Sequence, residues 1–415
     1  MTNTVTEVYD ELTGAEDAPE TEARNGLRHM ISLSMTKVAD GLIDPKLVLS
    51  WLGGAIGVPT AITGLFVPIR EAGALLPQII LAGRVESMTH RKWAWVTGSA
   101  GQGLMAAVIA IAALLLEGWL AGVVIAAALA VLAVSRALCS VSYKDILGKT
   151  VPNQRRGAVT GTAATAASLA VLAFAAFLIF GPGQEQGPVI AAIALAAALW
   201  GVAALLFSRL EEKPSAVDGD QGGINLTPLR EDKQFRRFIY TRGALTVTAL
   251  APPYFVLLGG GDAALSGLGA MLVASASASF VSSYIWGRLA DRSSRWVLAL
   301  SGFIAAAFMA LAVALDLAGL AEPIWVIPLT LFGLMIAYKG VRQGRSTYLV
   351  DMAPEDHRSS YAALANTLIG TLLLVVGALG GALAFIGPQA ALAGFAVLSV
   401  LGGMLALGLD EVEGG

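Results

Sequence analysis

The stretch GRLADRSSR at residues 287–295 decides the fold. It places a glycine, three arginines and an aspartate between two long apolar segments. A glycine lets two helix ends approach closely, and an aspartate can face the positive N-terminal end of a neighbouring helix. The arginines can hold lipid headgroups. The stretch is therefore typical of a tight cytoplasmic loop between two membrane helices.

The composition is that of a membrane protein. The chain has 415 residues, of which 56% are hydrophobic and 14% charged, and so much apolar surface cannot be buried in one soluble core. Hydropathy predicts twelve apolar segments near the roughly 20 residues that a spanning helix needs. The predicted spans are 31–57, 61–84, 93–116, 119–142, 157–181, 188–208, 236–258, 263–287, 296–316, 323–345, 358–386 and 388–409.

The first 28 residues are acidic and lack both a basic start and an apolar stretch. We therefore expect no cleaved signal peptide there, and a disordered cytoplasmic tail instead. The 27 lysines and arginines predict the topology of the rest. None lies in the alternate connections near 58–60, 117–118, 182–187, 259–262, 317–322 and 387, so these face outward and both termini are cytoplasmic.

The two halves of the chain repeat each other. A degenerate copy of the 287–295 loop, GRVESMTHRK, occurs 204 residues earlier at 83–92, and VPNQRRG at 151–157 corresponds to APEDHR at 353–358. Proline at a helix start and arginine at the cytoplasmic edge account for the second pair. The repeat predicts an all-α integral membrane protein of twelve helices in two pseudo-symmetric six-helix bundles, 29–209 and 236–410, joined by a cytoplasmic linker over 210–235.

The loop pattern G-x-L-a-D-r-x-x-r resembles the signature of the major facilitator superfamily of secondary transporters. The resemblance covers the chain after residue 28 and implies a monomer that binds a solute between its halves. It also implies a conformational role for the loop residues Gly83, Arg84, Gly287, Asp291, Arg292 and Arg295. The first copy departs from the family pattern, with Ser87 where the family has aspartate.

The boundary between the first two spans has two interpretations. Asp44-Pro45 could be a helix cap, so that the first span would run over 45–68 and Arg70 and Glu71 would lie in an exterior loop. That leaves only 72–84 for the second span, which is too short to cross. We therefore favour Arg70 and Glu71 within the second span, roughly 15 Å from its outer end.

Charged side chains inside the predicted spans are the candidate functional residues. A charge in hydrocarbon costs at least ~2.5 kcal/mol, so it normally faces a wet cavity or a partner. On the first span, Lys37, Asp40 and Asp44 have the spacing of one helix face. We expect the proton-coupling residues to be Asp40, Asp44, Glu71 and Arg136, and the substrate-binding residues to be Lys37, Arg70, Gln78, Lys339 and Arg342.

The resemblance bears on Arg136 in particular. Many proton-coupled members have an arginine in the fourth span followed three and four residues later by Gln-Gly, and that arginine is associated with proton transfer. Here Arg136 is followed by Cys139 and Ser140, so the match is partial. The mid-helix Gly-Pro of drug antiporters is also missing from the fifth span, which argues against drug export.

Other chemistries lack their motifs. The three histidines lie at predicted cytoplasmic edges without cysteine or glutamate partners at ligand spacing, so we expect no metal site. No P-loop is present to hydrolyse ATP. We therefore expect no cofactor, no enzymatic activity and no nucleic-acid partner.

The sequence thus predicts a multi-pass protein of the bacterial plasma membrane. We expect it to move a small organic solute, with a preference for an anion, by alternating access coupled to protons. The alternative is a membrane sensor or assembly factor that has the same fold and transports nothing.

Overall fold

The computed structural model describes residues 4–15, 18–181, 185–215, 226–258, 265–290, 292–354 and 358–412. Every regular element in these ranges is an α-helix. In the first half the helices are α1 Thr4–Thr13, α2 Glu20–Leu42, α3 Val48–Ala55, α4 Thr60–Thr63, α5 Phe66–Leu75, α6 Gln78–Glu86, α7 Lys92–Leu115, α8 Gly118–Thr150, α9 Asn153–Phe180 and α10 Gly187–Ser208.

The described part of the second half is also helical. Its helices are α11 Thr227–Glu231, α12 Lys233–Ala244, α13 Val247–Leu250, α14 Pro252–Leu258, α15 Leu265–Ala290, α16 Ser294–Leu317, α17 Val326–Met352, α18 Arg358–Ala384 and α19 Pro388–Leu407.

Eight of the described helices are long and apolar enough to cross a membrane. A ninth span results if the bent pair Thr60–Leu75 and Ile80–Glu86 is taken as one. The remaining predicted spans are broken or polar. The first predicted span contains α2 and α3, and the seventh contains α12, α13 and α14. The tenth predicted span lies on α17 and contains three cations. Twelve spans remain a prediction.

The first span is broken at Asp44-Pro45. Oδ1 of Asp44 accepts hydrogen bonds from the backbone N–H groups of Lys46 at 2.8 Å and Leu47 at 3.0 Å. Proline also lacks the N–H that a continuous helix needs. Asp44 therefore lies beyond the end of α2, and the prediction that it shares a helix face with Lys37 and Asp40 is wrong.

A turn at Gly57 follows this break. Gly57, in the connection between α3 and α4, has a φ of +72°, a conformation that glycine adopts at little cost. Arg70 and Glu71 lie on α5, within the helical segments of the second predicted span. Their position matches the interpretation favoured from the sequence, although Asp44 caps a turn as the alternative proposed.

The N-terminal segment is helical over 4–13 and from residue 20 onward, so the expectation of a disordered tail is wrong there. The tail has apolar residues at helical spacing, and Tyr9 is fully buried in a cluster with Ala23, Met30 and Leu147. Its hydroxyl donates to Glu22 Oε1 at 3.2 Å. Burial, followed by the charge of Glu22, raises the pKa of Tyr9 to about 12.

Helix packing is close within each half, and several helix pairs also join the halves. In the first half α7 packs on α8 and α10, and α2 on α9 and α10; in the second half α16 packs on α17 and α19. Between the halves α9 contacts α15 and α5 contacts α18. Gly269 permits one of these approaches, because a Cβ there would lie 2.8 Å from the carbonyl oxygen of Ala175.

Candidate functional site

Three charged side chains from three helices meet inside the first half. Asp40 lies on α2, Arg70 on α5 and Arg136 on α8. Arg70 Nη2 donates to Asp40 Oδ1 at 2.9 Å, and Arg136 Nη1 donates to Asp40 Oδ2. One carboxylate is therefore shared by two guanidinium groups. We call Asp40, Arg70 and Arg136 the shared-carboxylate cluster.

The two arginines differ in exposure. The side chain of Arg70 is 10% exposed and that of Arg136 is 42% exposed. Hydrogen bonds between ionised groups are short and strong, and they become stronger in a low-dielectric interior. Because one negative charge faces two positive charges, the cluster keeps a net positive charge. Arg136 is therefore the more exposed of the two arginines.

A second ion pair lies nearby, between Glu71, which was predicted from the sequence, and Lys46, which was not. Lys46 Nζ donates to Glu71 Oε1 at 2.7 Å, and the lysine side chain is 11% exposed. Lys46 Nζ also lies 5.1 Å from the ring centroid of Tyr338 on α17, within cation–π range. The pair therefore connects the first half to the second. Lys46 could have been found from its sequence, because it follows Pro45 within an apolar segment.

The second half contains a cavity of about 490 Å³ between α12, α15, α17 and α18. Its lining includes four cationic side chains and, among the described residues, no acidic one. The cations are Arg242, Lys339, Arg342 and Arg345. We call this space the cationic cavity. Lys339 and Arg342 were predicted from the sequence, whereas Arg242 and Arg345 were not.

A smaller space of about 70 Å³ adjoins the cationic cavity. Glu71 and Tyr338 line it together with Arg242, Arg342 and Arg345. The Lys46–Glu71 pair therefore lies beside the cationic cavity, and Arg242 borders both spaces. Neither space includes the shared-carboxylate cluster in its lining.

The sequence of the second half resembles one family. Residues 243–414 match the sequence model described as the Major Facilitator Superfamily. This match covers less than half of the chain. Together with the long apolar helices, it supports a multi-pass membrane protein. Comparison with curated protein sequences gives no match.

Solved structures of transporters share the superfamily fold. A D-xylose-proton symporter aligns with a TM-score of 0.68 at 12% identity, covering 94% of this chain and 98% of its own. A POT family transporter in complex with a thioalcohol conjugated peptide aligns with a TM-score of 0.69 at 13% identity, covering 92% and 95%. The nucleoside transporter NupG gives 0.64 at 13%, covering 92% and 98%.

The superfamily loop in the second half is shorter than the sequence motif. Gly287 lies on α15, which ends at Ala290, and α16 begins at Ser294. The side chain of Ser293 accepts a hydrogen bond from the backbone of Trp296 and caps α16. Asp291 lies outside the described residues, so its predicted role as a lock stays a prediction.

The arginines of the loop motif have separate environments. Arg295 Nη1 donates to the carbonyl oxygen of Leu409 at 3.0 Å, and its Nε lies 3.0 Å from Glu411 Oε2. Arg295 therefore holds the end of α19. Arg292 is exposed. In the first copy Gly83 and Arg84 lie on α6, and Arg84 is exposed.

The superfamily loop of the first half is held by acidic groups elsewhere in the chain. Arg91 Nη1 lies 2.8 Å from Asp145 Oδ1 on α8. The carboxylate of Glu212 accepts from the backbone N–H groups of Arg91 at 3.2 Å and Lys92 at 2.9 Å. These contacts tie the loop to α8 and to the segment after α10, although Ser87 replaces the family aspartate.

Three other predicted residues lie outside the cationic cavity. Lys37 Nζ donates to the carbonyl oxygen of Thr160 at 3.4 Å, and Gln78 Nε2 donates to that of Ala74 at 2.8 Å, within one turn of its own position. Asp44 lines a different, largely apolar space of about 730 Å³ between α2, α9 and α15. The structure thus brings Asp40, Arg70 and Arg136 together, and places Lys339 and Arg342 elsewhere.

Proposed function

We propose that the chain is a proton-coupled secondary transporter that moves a small organic anion by alternating access. The observation that carries the proposal is the carboxylate of Asp40, held by Arg70 and Arg136 within predicted membrane spans. A carboxylate that is paired with two cations can bind a proton when those ion pairs are released. The match to the superfamily model supports transport, and one structural neighbour is a D-xylose-proton symporter.

The coupling follows from competition for the exposed arginine. An anion that binds Arg136 removes one of the two cations that stabilise ionised Asp40. Asp40 then binds a proton more readily. By linkage, a proton on Asp40 releases Arg136 and strengthens binding of the anion by the same factor. Solute and proton therefore favour each other, which is the thermodynamic requirement for symport.

Alternating access would take place between the bundles 29–209 and 236–410. The contacts of α9 with α15 and of α5 with α18 are the surfaces along which two such bodies could rock. Lys46 and Tyr338 lie across the same boundary. We further propose that both termini are cytoplasmic and that the protein resides in a bacterial inner membrane, on the distribution of basic residues.

The charges favour an anion over a cation or a neutral solute. The shared-carboxylate cluster has one more positive than negative charge, and the cationic cavity has four positive charges. Low-dielectric clefts lined by one sign of charge concentrate ions of the opposite sign. A cationic solute would therefore be repelled on both sides.

The test is uptake by the purified full-length protein in proteoliposomes with an imposed pH gradient. Labelled phosphate, glycerol 3-phosphate, succinate, citrate, lactate, xylose and a nucleoside form the panel. We expect at least one anion to accumulate above its external concentration, and a protonophore to abolish the accumulation. Accumulation of only a neutral solute would overturn the anion assignment. No uptake of any solute, with or without the gradient, would favour the sensor or assembly factor.

A further inference from the structure

We infer that the cationic cavity binds a solute that carries at least two negative charges, such as a phosphate monoester or a dicarboxylate. This inference rests on the proposed function and narrows its substrate from an anion to a multivalent anion. It assigns binding roles to Arg242, Arg345 and Asn366, which the sequence did not single out, beside Lys339 and Arg342.

The charge of the cavity is the first argument. Within the described part of the chain, none of the four cations forms an ion pair with a carboxylate. The closest acidic side chain in the adjoining space is Glu71, which is bound to Lys46 at 2.7 Å. Buried charges are normally paired, because removing them from water costs several kcal/mol each. Arg242 is buried, Lys339 and Arg345 are partly buried, and Arg342 is exposed. The counter-charge that Arg242 in particular needs is therefore one that a ligand can supply.

Arg242 is the best-defined part of the site. It is 6% exposed, and its Nη2 donates to Asn366 Oδ1 at 3.1 Å. Its Nε is buried and has no hydrogen-bond partner among the described residues. Asn366 thus fixes the guanidinium plane and leaves a donor free. A planar guanidinium with free donors is suited to carboxylate or phosphate oxygens.

A hydroxyl group adds to the donor set. Ser282, which lines the same cavity, is 2% exposed, and its Oγ is buried without a partner in the described ranges. An unmade hydrogen bond at a buried polar group is costly. Ser282 Oγ and Arg242 Nε are thus two unsatisfied donors on the wall of a cavity that four cations line.

The number of charges favours a multivalent anion. A monovalent anion would leave three of the four cations without a counter-charge, whereas a dianion leaves two and a trianion leaves one. The volume of about 490 Å³ falls within the usual range of small-molecule sites, roughly 300–1,000 Å³. A small organic molecule with two anionic groups, or one doubly charged group, fits both the charge and the size.

Binding to the purified protein in detergent tests this inference without any transport. The probes are inorganic phosphate, glycerol 3-phosphate, succinate and citrate, compared with lactate, chloride and xylose at matched ionic strength. We expect at least one multivalent probe to raise the melting temperature and bind by calorimetry, and the monovalent and neutral probes to have no such effect. Equal or larger shifts with lactate, chloride or xylose would overturn the inference.

Charge-neutral variants then locate the site. Arg345→Gln and Lys339→Gln should each weaken binding of the multivalent probe roughly 10- to 100-fold, as expected for a lost hydrogen bond to a charged group. Arg209→Gln is the matched control, because Arg209 is exposed at the end of α10 and lines neither space. Arg242→Gln has the same expected effect, but its burial makes the other two variants the decisive ones. Unchanged affinity in both would overturn the inference.

The outcomes separate the two proposals. Asp40→Asn should still bind the multivalent probe while losing proton-driven uptake. If the probe binds through Arg345 and Lys339 but uptake ignores the proton gradient, the proposed coupling fails and the binding site stands. If protons drive uptake of a monovalent anion, the proposed function stands and this inference fails.

Discussion

Replacing Asp40 with asparagine should destabilise the protein and uncouple it from protons. The substitution removes the negative charge that holds Arg70 Nη2 at 2.9 Å and also binds Arg136. Removing one partner of a buried ion pair costs about 3–5 kcal/mol. The asparagine oxygen still accepts a hydrogen bond and the Asp40 side chain is 24% exposed, so we expect a loss nearer to about 2–3 kcal/mol.

Arg136 provides the matched second change. Its side chain is 42% exposed, and exposed ion pairs contribute about 0–1 kcal/mol, so Arg136→Gln alone should cost little. In the Asp40→Asn background it removes the repulsion between Arg136 and Arg70. The double variant should therefore melt above Asp40→Asn, with a coupling of at least about 0.5 kcal/mol.

The assay is thermal unfolding of the four proteins in one detergent, together with proton-driven uptake in proteoliposomes. The expected order of melting temperature is wild type, Arg136→Gln, the double variant and Asp40→Asn. Asp40→Asn should lose uphill accumulation and retain part of solute counterflow. Additive losses of stability together with unchanged uphill uptake would refute the reasoning about the shared carboxylate.

Three further changes test the packing and the second ion pair. Lys46→Gln leaves the Glu71 carboxylate without its partner at 2.7 Å and should lower stability by about 1–3 kcal/mol; an unchanged melting temperature would contradict a structural role. Gly302→Ala should lower stability by about 1–3 kcal/mol, because the new Cβ would lie 2.9 Å from a backbone oxygen of α19. The control is Gly201→Ala, whose Cβ would meet nothing within 4 Å and which should be neutral or stabilising. Equal changes in melting temperature for the two variants would refute this. Tyr9→Ala should expose α1 to protease, because the buried ring is lost, while Tyr9→Phe should leave α1 protected; identical cleavage of the two would show that α1 does not dock through the ring.

Much of the fold could be predicted from apolar length and basic loops. The long helices α7, α8, α9 and α16 lie near the predicted spans because their apolar runs are continuous. The breaks were harder to predict. Asp44 stops α2 by accepting two backbone hydrogen bonds, a local contact that competes with the hydrophobic periodicity. The docking of α1 was missed because the acidic residues around Tyr9 outweighed its apolar face.

The sequence predicted which residues form the site but not which of them contact each other. Charges inside apolar segments are costly, so Asp40, Arg70 and Arg136 could be selected from the sequence. Their contacts depend on how α2, α5 and α8 pack, and no local pattern contains that information. Arg242 was missed because it lies on the polar helix α12, near the start of a predicted span. A charge near a span end usually needs no partner. Only the packing of α15, α17 and α18 places it in a cavity.

The most direct test of the central claim is proton uptake on binding of an anion. Purified protein in weakly buffered detergent solution, with a pH indicator, is mixed with the anion that it accumulates most strongly in proteoliposomes. If the anion displaces Arg136 from Asp40, the wild type should take up close to one proton per bound anion over part of the pH range. Asp40→Asn should bind the anion and take up none. Uptake that is absent in the wild type, or unchanged in Asp40→Asn, would contradict coupling through Asp40.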